Sequence, residues 1–214
     1  MNIAKYIDHT LLKTTATKID VEKHCKDAIE YGFYSVCVNP NYVKLVRELL
    51  KGSDLKTVSV IGFPFGESKT EVRVKEALLA VEDGAQELDT VICASRLVDG
   101  DFKYVYNDLK QIVDNSGVPL KVILETSNLT KEQIVDACKI SVDAGVAFVK
   151  TSTGFFGAGA SVENVKLMRA TVGNSCGVKA AGGIRDYSFA KELIDAGANR
   201  IGASASIAIV NGAK

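Results

Sequence analysis

The sequence predicts a closed, all-parallel α/β barrel, a (β/α)₈ fold formed as one domain over residues 1–214. Three observations predict it. Apolar runs of strand length alternate with amphipathic helical patterns from one end of the chain to the other. Eight such runs occur, spaced by about 23 to 34 residues, which suits a barrel of repeated strand–helix units. Four units also share one pattern of helix, glycine and strand: "EYGFYSVC", "EDGAQELD", "DAGVAFVK" and "DAGANRIG". The alternative is an open doubly wound sheet, but no G-x-G-x-x-G follows the first strand.

The elements follow in order. Strands are expected at "YIDHT" (6–10), "SVCVN" (35–39), "VSVIGF" (58–63) and "ELDTVI" (87–92). Four more are expected at "KVILET" (121–126), "FVKTS" (148–152), "GVKAAG" (177–182) and "RIGAS" (200–204). These runs are nearly continuous in apolar residues, as strands covered on both faces must be. Between them, "KIDVEKHCKDAIEYG", "KTEVRVKEALLAVEDG" and "TKEQIVDACKISVDAG" place apolar residues three and four apart, the spacing of one helix face. Each ends in glycine, which tolerates the left-handed conformation that closes a helix. "GFPFGES" reads as a turn in which Glu67 or Ser68 caps the next helix.

Composition narrows the function classes. The 26 basic and 26 acidic residues balance, so there is no general pull towards nucleic acid or an anionic membrane, and any bound anion needs a local site. Five scattered cysteines, with no C-x-x-C pair and no nearby histidine, argue against a zinc site or a disulfide framework. Buried free thiols in a reducing cytoplasm fit better. No apolar segment has the length of a secretion signal or a membrane span.

In the four repeated units, the residue five places after the glycine is Cys37, Asp89, Lys150 and Gly202. They fall on the second, fourth, sixth and eighth strands, and alternate strands fill one interior layer of such a barrel. Lys150 and Asp89 are therefore expected to face each other. A lysine in that place has a bland reading, a snorkelling side chain or one arm of an ion pair. The chemical reading is an imine-forming nucleophile, which needs a neutral amine and so a pKa lowered by burial or by a nearby cation. "GVKAAGG" supplies that cation as Lys179 on the next strand, roughly 4.8 Å away. Two lysines beside one carboxylate make a poor structural motif and a good device for moving protons.

The glycines complete the site. "AAGGIR" follows strand seven, "GASAS" follows strand eight, and Gly154 follows strand six. Glycines alone only make turns. Placed there, Gly182, Gly183, Gly202 and Ser204 fit a phosphate cradle of backbone N–H groups. Glu125 is either a base or a structural partner of Lys121. His9 and Cys37 read as structural.

Together these segments resemble deoxyribose-phosphate aldolase, a class I aldolase family with the (β/α)₈ fold. The resemblance runs through "YIDHTLLK", "VCVNP", "VIGFPFG", "KVILET", "FVKTSTGF", "VKLMR", "GVKAAGGIR" and "RIGAS". It implies reversible cleavage of 2-deoxy-D-ribose 5-phosphate to D-glyceraldehyde 3-phosphate and acetaldehyde, in deoxyribonucleoside catabolism, with no metal and no cofactor. It implies that Lys150 is the Schiff-base lysine, Lys179 the lysine that perturbs it, and Asp89 the proton-shuttling acid. Gly154, Gly182, Gly183 and Ser204 match phosphate-binding positions, while Asp8 and Thr10 in "DHTLL" match positions near the substrate hydroxyls. The implied partners are small sugar phosphates and acetaldehyde, with a homodimer as the possible assembly. Two departures stand out. "TVICAS" after Asp89 lacks the family's methionine and "IN-G" pattern, which puts the pocket near Thr90 and Cys93 in question. The chain ends at "IVNGAK" rather than in a tyrosine-ended tail, which implies slower turnover or proton transfer through water. A carboxylate-base isomerase using Glu125 and a non-catalytic sugar-phosphate-binding barrel are the competing classes.

Overall fold

The computed structural model describes residues 1–213, and the end of the chain, on which the expectation about a tail turns, lies outside them. Eight parallel strands pair in sequence order, and the eighth returns to the first, so the sheet is closed and the open alternative falls away. The strands are β1 (Ile7–Leu11), β2 (Ser35–Val38), β3 (Lys56–Ile61), β4 (Glu87–Val91), β5 (Leu120–Ile123), β6 (Phe148–Lys150), β7 (Gly177–Ala181) and β8 (Arg200–Ala203). The helices around them are α1 (Lys18–Tyr31), α2 (Val43–Leu49), α3 (Thr70–Glu82), α4 (Ala94–Val98), α5 (Phe102–Ser116), α6 (Lys131–Asp143), α7 (Val162–Val172), α8 (Tyr187–Asp195) and α9 (Ser206–Asn211). All eight expected runs contain a strand, with ends differing by at most two residues except at β5, which stops at Ile123, three residues short of the expected end. The β4–β5 connection carries two helices, α4 and α5.

Local chemistry sets the helix ends. Thr17 with Asp20 starts α1, and Thr130 with Gln133 starts α6, each in a reciprocal cap that satisfies two otherwise free backbone N–H groups. Gly32 closes α1 at φ 63°, a left-handed conformation that a side chain rarely adopts. "GFPFGES" forms the expected turn, with Gly66 N–H donating to the Gly62 carbonyl at 2.8 Å, but the expected cap fails. Neither Glu67 nor Ser68 caps α3, whose N-cap is Lys69 with no side-chain bond. Glu67 instead reaches the start of α4, accepting from Ser95 N–H at 3.2 Å and Ser95 Oγ at 2.6 Å.

The main apolar core lies between the barrel and the helices, among residues such as Val36, Leu88, Val122, Val149, Leu109 and Met168. The barrel interior differs. Its side towards β2 and β3 is apolar, with Leu12, Cys37, Val58, Val60 and Phe63 packed together. Its remaining wall carries charge. Register makes Lys150 the direct neighbour of Lys179, Asp89 of Lys121, and Lys179 of Arg200.

Thr90 points the other way, because successive strand residues face opposite sides of a sheet. Its hydroxyl accepts from Arg73 at 2.7 Å in the helix layer. Arg73 is fully buried, pairs with Asp108 at 2.5 Å, and also donates to the Val91 carbonyl. The Thr90 departure therefore modifies the support behind β4 and leaves the barrel interior unchanged.

Candidate active site

The inward charged side chains of β1 and β4 to β8 join Asp89 in one connected set of ion pairs. Asp89 is fully buried at the middle of β4. Its Oδ2 accepts from Lys150 Nζ and Lys179 Nζ, both at 2.8 Å, and its Oδ1 accepts from Lys121 Nζ at 2.8 Å. The spacing rule thus brings Lys150 opposite Asp89, and strand adjacency brings Lys179 beside them. The arrangement is larger than two lysines and one carboxylate. Lys121 also pairs with Glu87 at 2.7 Å, and Lys179 with Asp8 at 2.5 Å. Arg200 reaches Asp8 at 3.1 Å and lies over the Tyr34 ring, 3.2 Å from its centroid. Tyr34 Oη donates to Glu87 at 2.8 Å and closes the circuit.

The electrostatics separate the lysines. Burial holds the Lys150 ammonium below the ordinary lysine value; Asp89 opposes this and the Lys179 charge adds to it. Lys179 is buried too, but Asp8 and Asp89 outweigh that burial and hold its pKa above the ordinary value. Lys121 is raised for the same reason, by Asp89, Asp8 and Glu87 against burial. Asp89 suffers the same desolvation, yet three lysines keep it well below the usual carboxylate range. One amine in the group is thereby easy to deprotonate and two are not.

Above Lys150 opens a pocket of about 530 Å³. Its floor includes Lys150, and its rim is built by Gly154, Gly182, Gly183, Gly202 and Ser204, with Thr10 beside Ser204 on the neighbouring strand β1. The β6 exit is fixed by Thr151, whose hydroxyl donates to the Ala181 carbonyl at 2.8 Å and accepts the Ala181 N–H at 3.0 Å. Gly182 has φ 92°, and a Cβ there would sit 2.9 Å from Gly159 Cα and 3.2 Å from Ser152 Cβ. Only glycine lets the two loops meet at that point.

Other expected residues go elsewhere. Asp8 does not line the pocket; it is fully buried beneath it, with oxygens on Ser35, Lys179 and Arg200. Glu125 is no partner of Lys121. It accepts from the Thr153 N–H at 3.1 Å and from the Thr153 hydroxyl, so it shapes the loop after β6. His9 is structural: it bonds Ser206 Oγ at 2.8 Å and stacks on His24, and burial pushes its pKa down to about 2. Burial pushes the Cys37 thiol up to about 11, as core packing requires. Sequence reasoning missed Lys121, Glu87 and Arg200 as members of the group, and Lys13 and Arg185 on the pocket wall. The signal was the inward parity of Lys121, two residues before the inward Ile123, which needs the strand register to be read.

The sequence matches the DeoC/LacD family aldolase description over residues 2–213. It is 56% identical over 219 residues to the deoxyribose-phosphate aldolase of Thermococcus gammatolerans, covering 100% of this chain and 97% of that protein. It is 53% identical to the one from Caldanaerobacter subterraneus, covering 98% and 93%. Among solved structures, the tetrameric deoxyribose phosphate aldolase of Aeropyrum pernix superposes with a TM-score of 0.91 at 34% identity, covering 98% of this chain and 89% of that one. With matches over nearly its whole length, the chain belongs to the DeoC/LacD family of aldolases.

Proposed function

We propose that this protein is a Schiff-base aldolase that reversibly cleaves 2-deoxy-D-ribose 5-phosphate to D-glyceraldehyde 3-phosphate and acetaldehyde. One observation carries the reading: a buried, pKa-lowered lysine amine lies 2.8 Å from an ionised carboxylate at the floor of a glycine-rimmed pocket. The curated names of the relatives support the substrate.

In the cleavage direction the neutral Lys150 amine attacks C1 of the open-chain aldehyde. Asp89 and Lys179 pass protons as the carbinolamine loses water and becomes an imine. The protonated imine then accepts the electrons of the C2–C3 bond as the C3 hydroxyl gives up its proton. The bond is C2–C3 rather than C3–C4, because the fragment left on Lys150 must have two carbons. Glyceraldehyde 3-phosphate departs, the enamine is protonated at C2, and water releases acetaldehyde and the free lysine. The phosphate rests on backbone N–H groups of the Gly154, Gly182, Gly183, Gly202 and Ser204 rim, and Thr10 faces the sugar. Held there, the phosphate fixes the distance from handle to reacting carbon, so binding energy is used for orientation.

Borohydride reduction in the presence of acetaldehyde, followed by peptide mass spectrometry, tests the assignment. The expected adduct is on Lys150 and is absent from Lys150→Ala, which also loses acetaldehyde release. An adduct elsewhere, or none, overturns it.

The assembly expected is a homodimer. α3 exposes Val72 and Leu79, and Phe65 before it is 67% exposed, which leaves an apolar face of the kind that a second copy covers. Sedimentation equilibrium reads this directly, as twice the 22.9 kDa chain mass; a monomer or a larger assembly refutes it. Among the described residues, no helix is long and apolar enough to cross a membrane. The five buried, unpaired cysteines support a reducing cytoplasmic setting, checked by cell fractionation.

A further inference from the structure

We infer that Lys121 and Glu87, at the end of the barrel remote from the pocket, are positioning residues that set the protonation state of Lys150 by fixing the charge count of the buried network. The inference rests on Lys150 being the imine-forming lysine and goes further by naming what makes its amine neutral.

The count comes from the ion pairs. The connected network holds four cations, Lys121, Lys150, Lys179 and Arg200, and three anions, Asp8, Glu87 and Asp89. Fully ionised, it carries one positive charge too many inside a barrel almost closed to water. An uncompensated buried charge is costly, and the protein's cheapest relief is to release one proton. Lys179 and Lys121 each bridge two carboxylates, and Arg200 cannot deprotonate. Lys150 has a single carboxylate partner, Asp89, which it shares with both other lysines. Lys150 is therefore the member that gives up its proton, and with it neutral the network balances at three charges of each sign.

Every strand facing Lys150 enters this account. Its immediate surroundings are Asp89 on β4, Lys179 on β7 and the neutral thiol of Cys37 on β2. Asp8 on β1, Lys121 on β5, Arg200 on β8 and Glu87 on β4 form the outer ring. Tyr34, just before β2, donates to Glu87. β3 presents Val58 and Val60, and Lys56, of the same parity at the first position of the strand, is half-buried and joins none of these ion pairs. Glu125, the other buried carboxylate near Lys150, makes no ion pair and binds Thr153. The poise of Lys150 is thus a property of the whole group. Lys179 alone does not supply it, since Asp8 and Asp89 balance the Lys179 charge.

The prediction is a signed series. Lys121→Met leaves three cations and three anions, so Lys150 keeps its proton and its pKa rises. Glu87→Gln leaves two charges in excess, and the Lys150 pKa falls. Lys121→Met/Glu87→Gln restores an excess of one and brings it back towards wild type. A unit charge about 6 Å away at an effective dielectric near 20 moves a pKa by roughly 1–2 units, so displacements of that order are expected. The measurement is the pH midpoint of borohydride-trapped Lys150 adduct with acetaldehyde, backed by direct titration of the Lys150 side-chain carbon resonance in the folded variants. The inference holds if the midpoints order as Glu87→Gln below wild type, Lys121→Met above it, and the double variant between the two. Coincident midpoints, or both single variants moving the same way, overturn it, because a merely structural role weakens activity without ordering the midpoints. A wild type that titrates in this manner but traps no adduct on Lys150 fails the imine assignment and leaves the charge count standing on the resonance titration.

Discussion

Replacing Asp89 with asparagine keeps the shape of the side chain and removes the charge on which three lysine nitrogens converge at 2.8 Å each. Four cations would then face two anions, Asp8 and Glu87. Even with Lys150 neutral, one charge stays uncompensated in a fully buried place. Breaking a buried ion pair from one side costs about 3–5 kcal/mol. Against a total stability of about 5–15 kcal/mol this is a large fraction. Urea unfolding followed by circular dichroism reads it as a lowered midpoint at an unchanged slope.

The pH dependence gives a second handle, and its sign is fixed. In the wild type the Asp89 pKa is depressed on folding, so its stabilisation is present above the unfolded carboxylate value of ~3.9 and lost as pH falls through the folded value. In the asparagine variant the lysines lose their main partner, so their folded pKa drops below the unfolded ~10.4. Their penalty therefore shrinks as pH rises towards 10. Imine formation should also fall by about 10²–10⁴, the usual loss on removing a general acid–base group. An asparagine variant within ~1 kcal/mol of wild type at pH 7, with a flat stability from pH 7 to 10, would refute the claim that the interior is governed by charge balance.

Two further substitutions address the pocket rim. Gly182→Ala puts a methyl group 2.9 Å from Gly159 Cα at φ 92°, a strain of about 1–3 kcal/mol, so thermal unfolding should come earlier and KM for the sugar phosphate should rise; an unchanged KM would separate the loop contact from binding. Ser204→Glu places a negative charge beside the expected phosphate at an exposed position, where stability should change by less than ~0.5 kcal/mol. KM for the phosphorylated sugar should then rise about tenfold, a cost of ~1.4 kcal/mol, and turnover of unphosphorylated deoxyribose should not change. A parallel loss on both substrates would remove the phosphate from that rim.

The barrel was legible because parallel strands buried on both faces leave continuous apolar runs, and because glycine after a helix marks where the next strand begins. Lys150, Asp89 and Lys179 were legible for a related reason. A constant offset from glycine fixes height, and consecutive strands in such a barrel are neighbours. The outer ring was hidden. Whether Lys121 meets Glu125, Glu87 or Asp89 depends on strand stagger and on which face each residue takes, and neither is written in local sequence. Asp8 was assigned to the substrate because its motif was read as a unit, yet Thr10 lines the pocket and Asp8, two residues earlier on the same face, lies a layer below. Thr90 looked like a change in the pocket only because it adjoins Asp89; alternation turns it outward onto Arg73.

The charged half of the barrel interior has a consequence for how such a protein can change over time. The side chains that carry the chemistry are also those that fill the space, since the apolar cluster inside the barrel is built from the β2 and β3 side and not from β4 to β8. Loss of any member but Lys150 therefore unbalances the interior, whereas loss of Lys150, the neutral member, silences the reaction and leaves three charges of each sign. Exchange of any other member requires a matched partner, a cation and a carboxylate leaving together. The lysine of "GVKAAGGIR" is thus held by the fold, and the lysine of "FVKTSTGF" by the reaction alone.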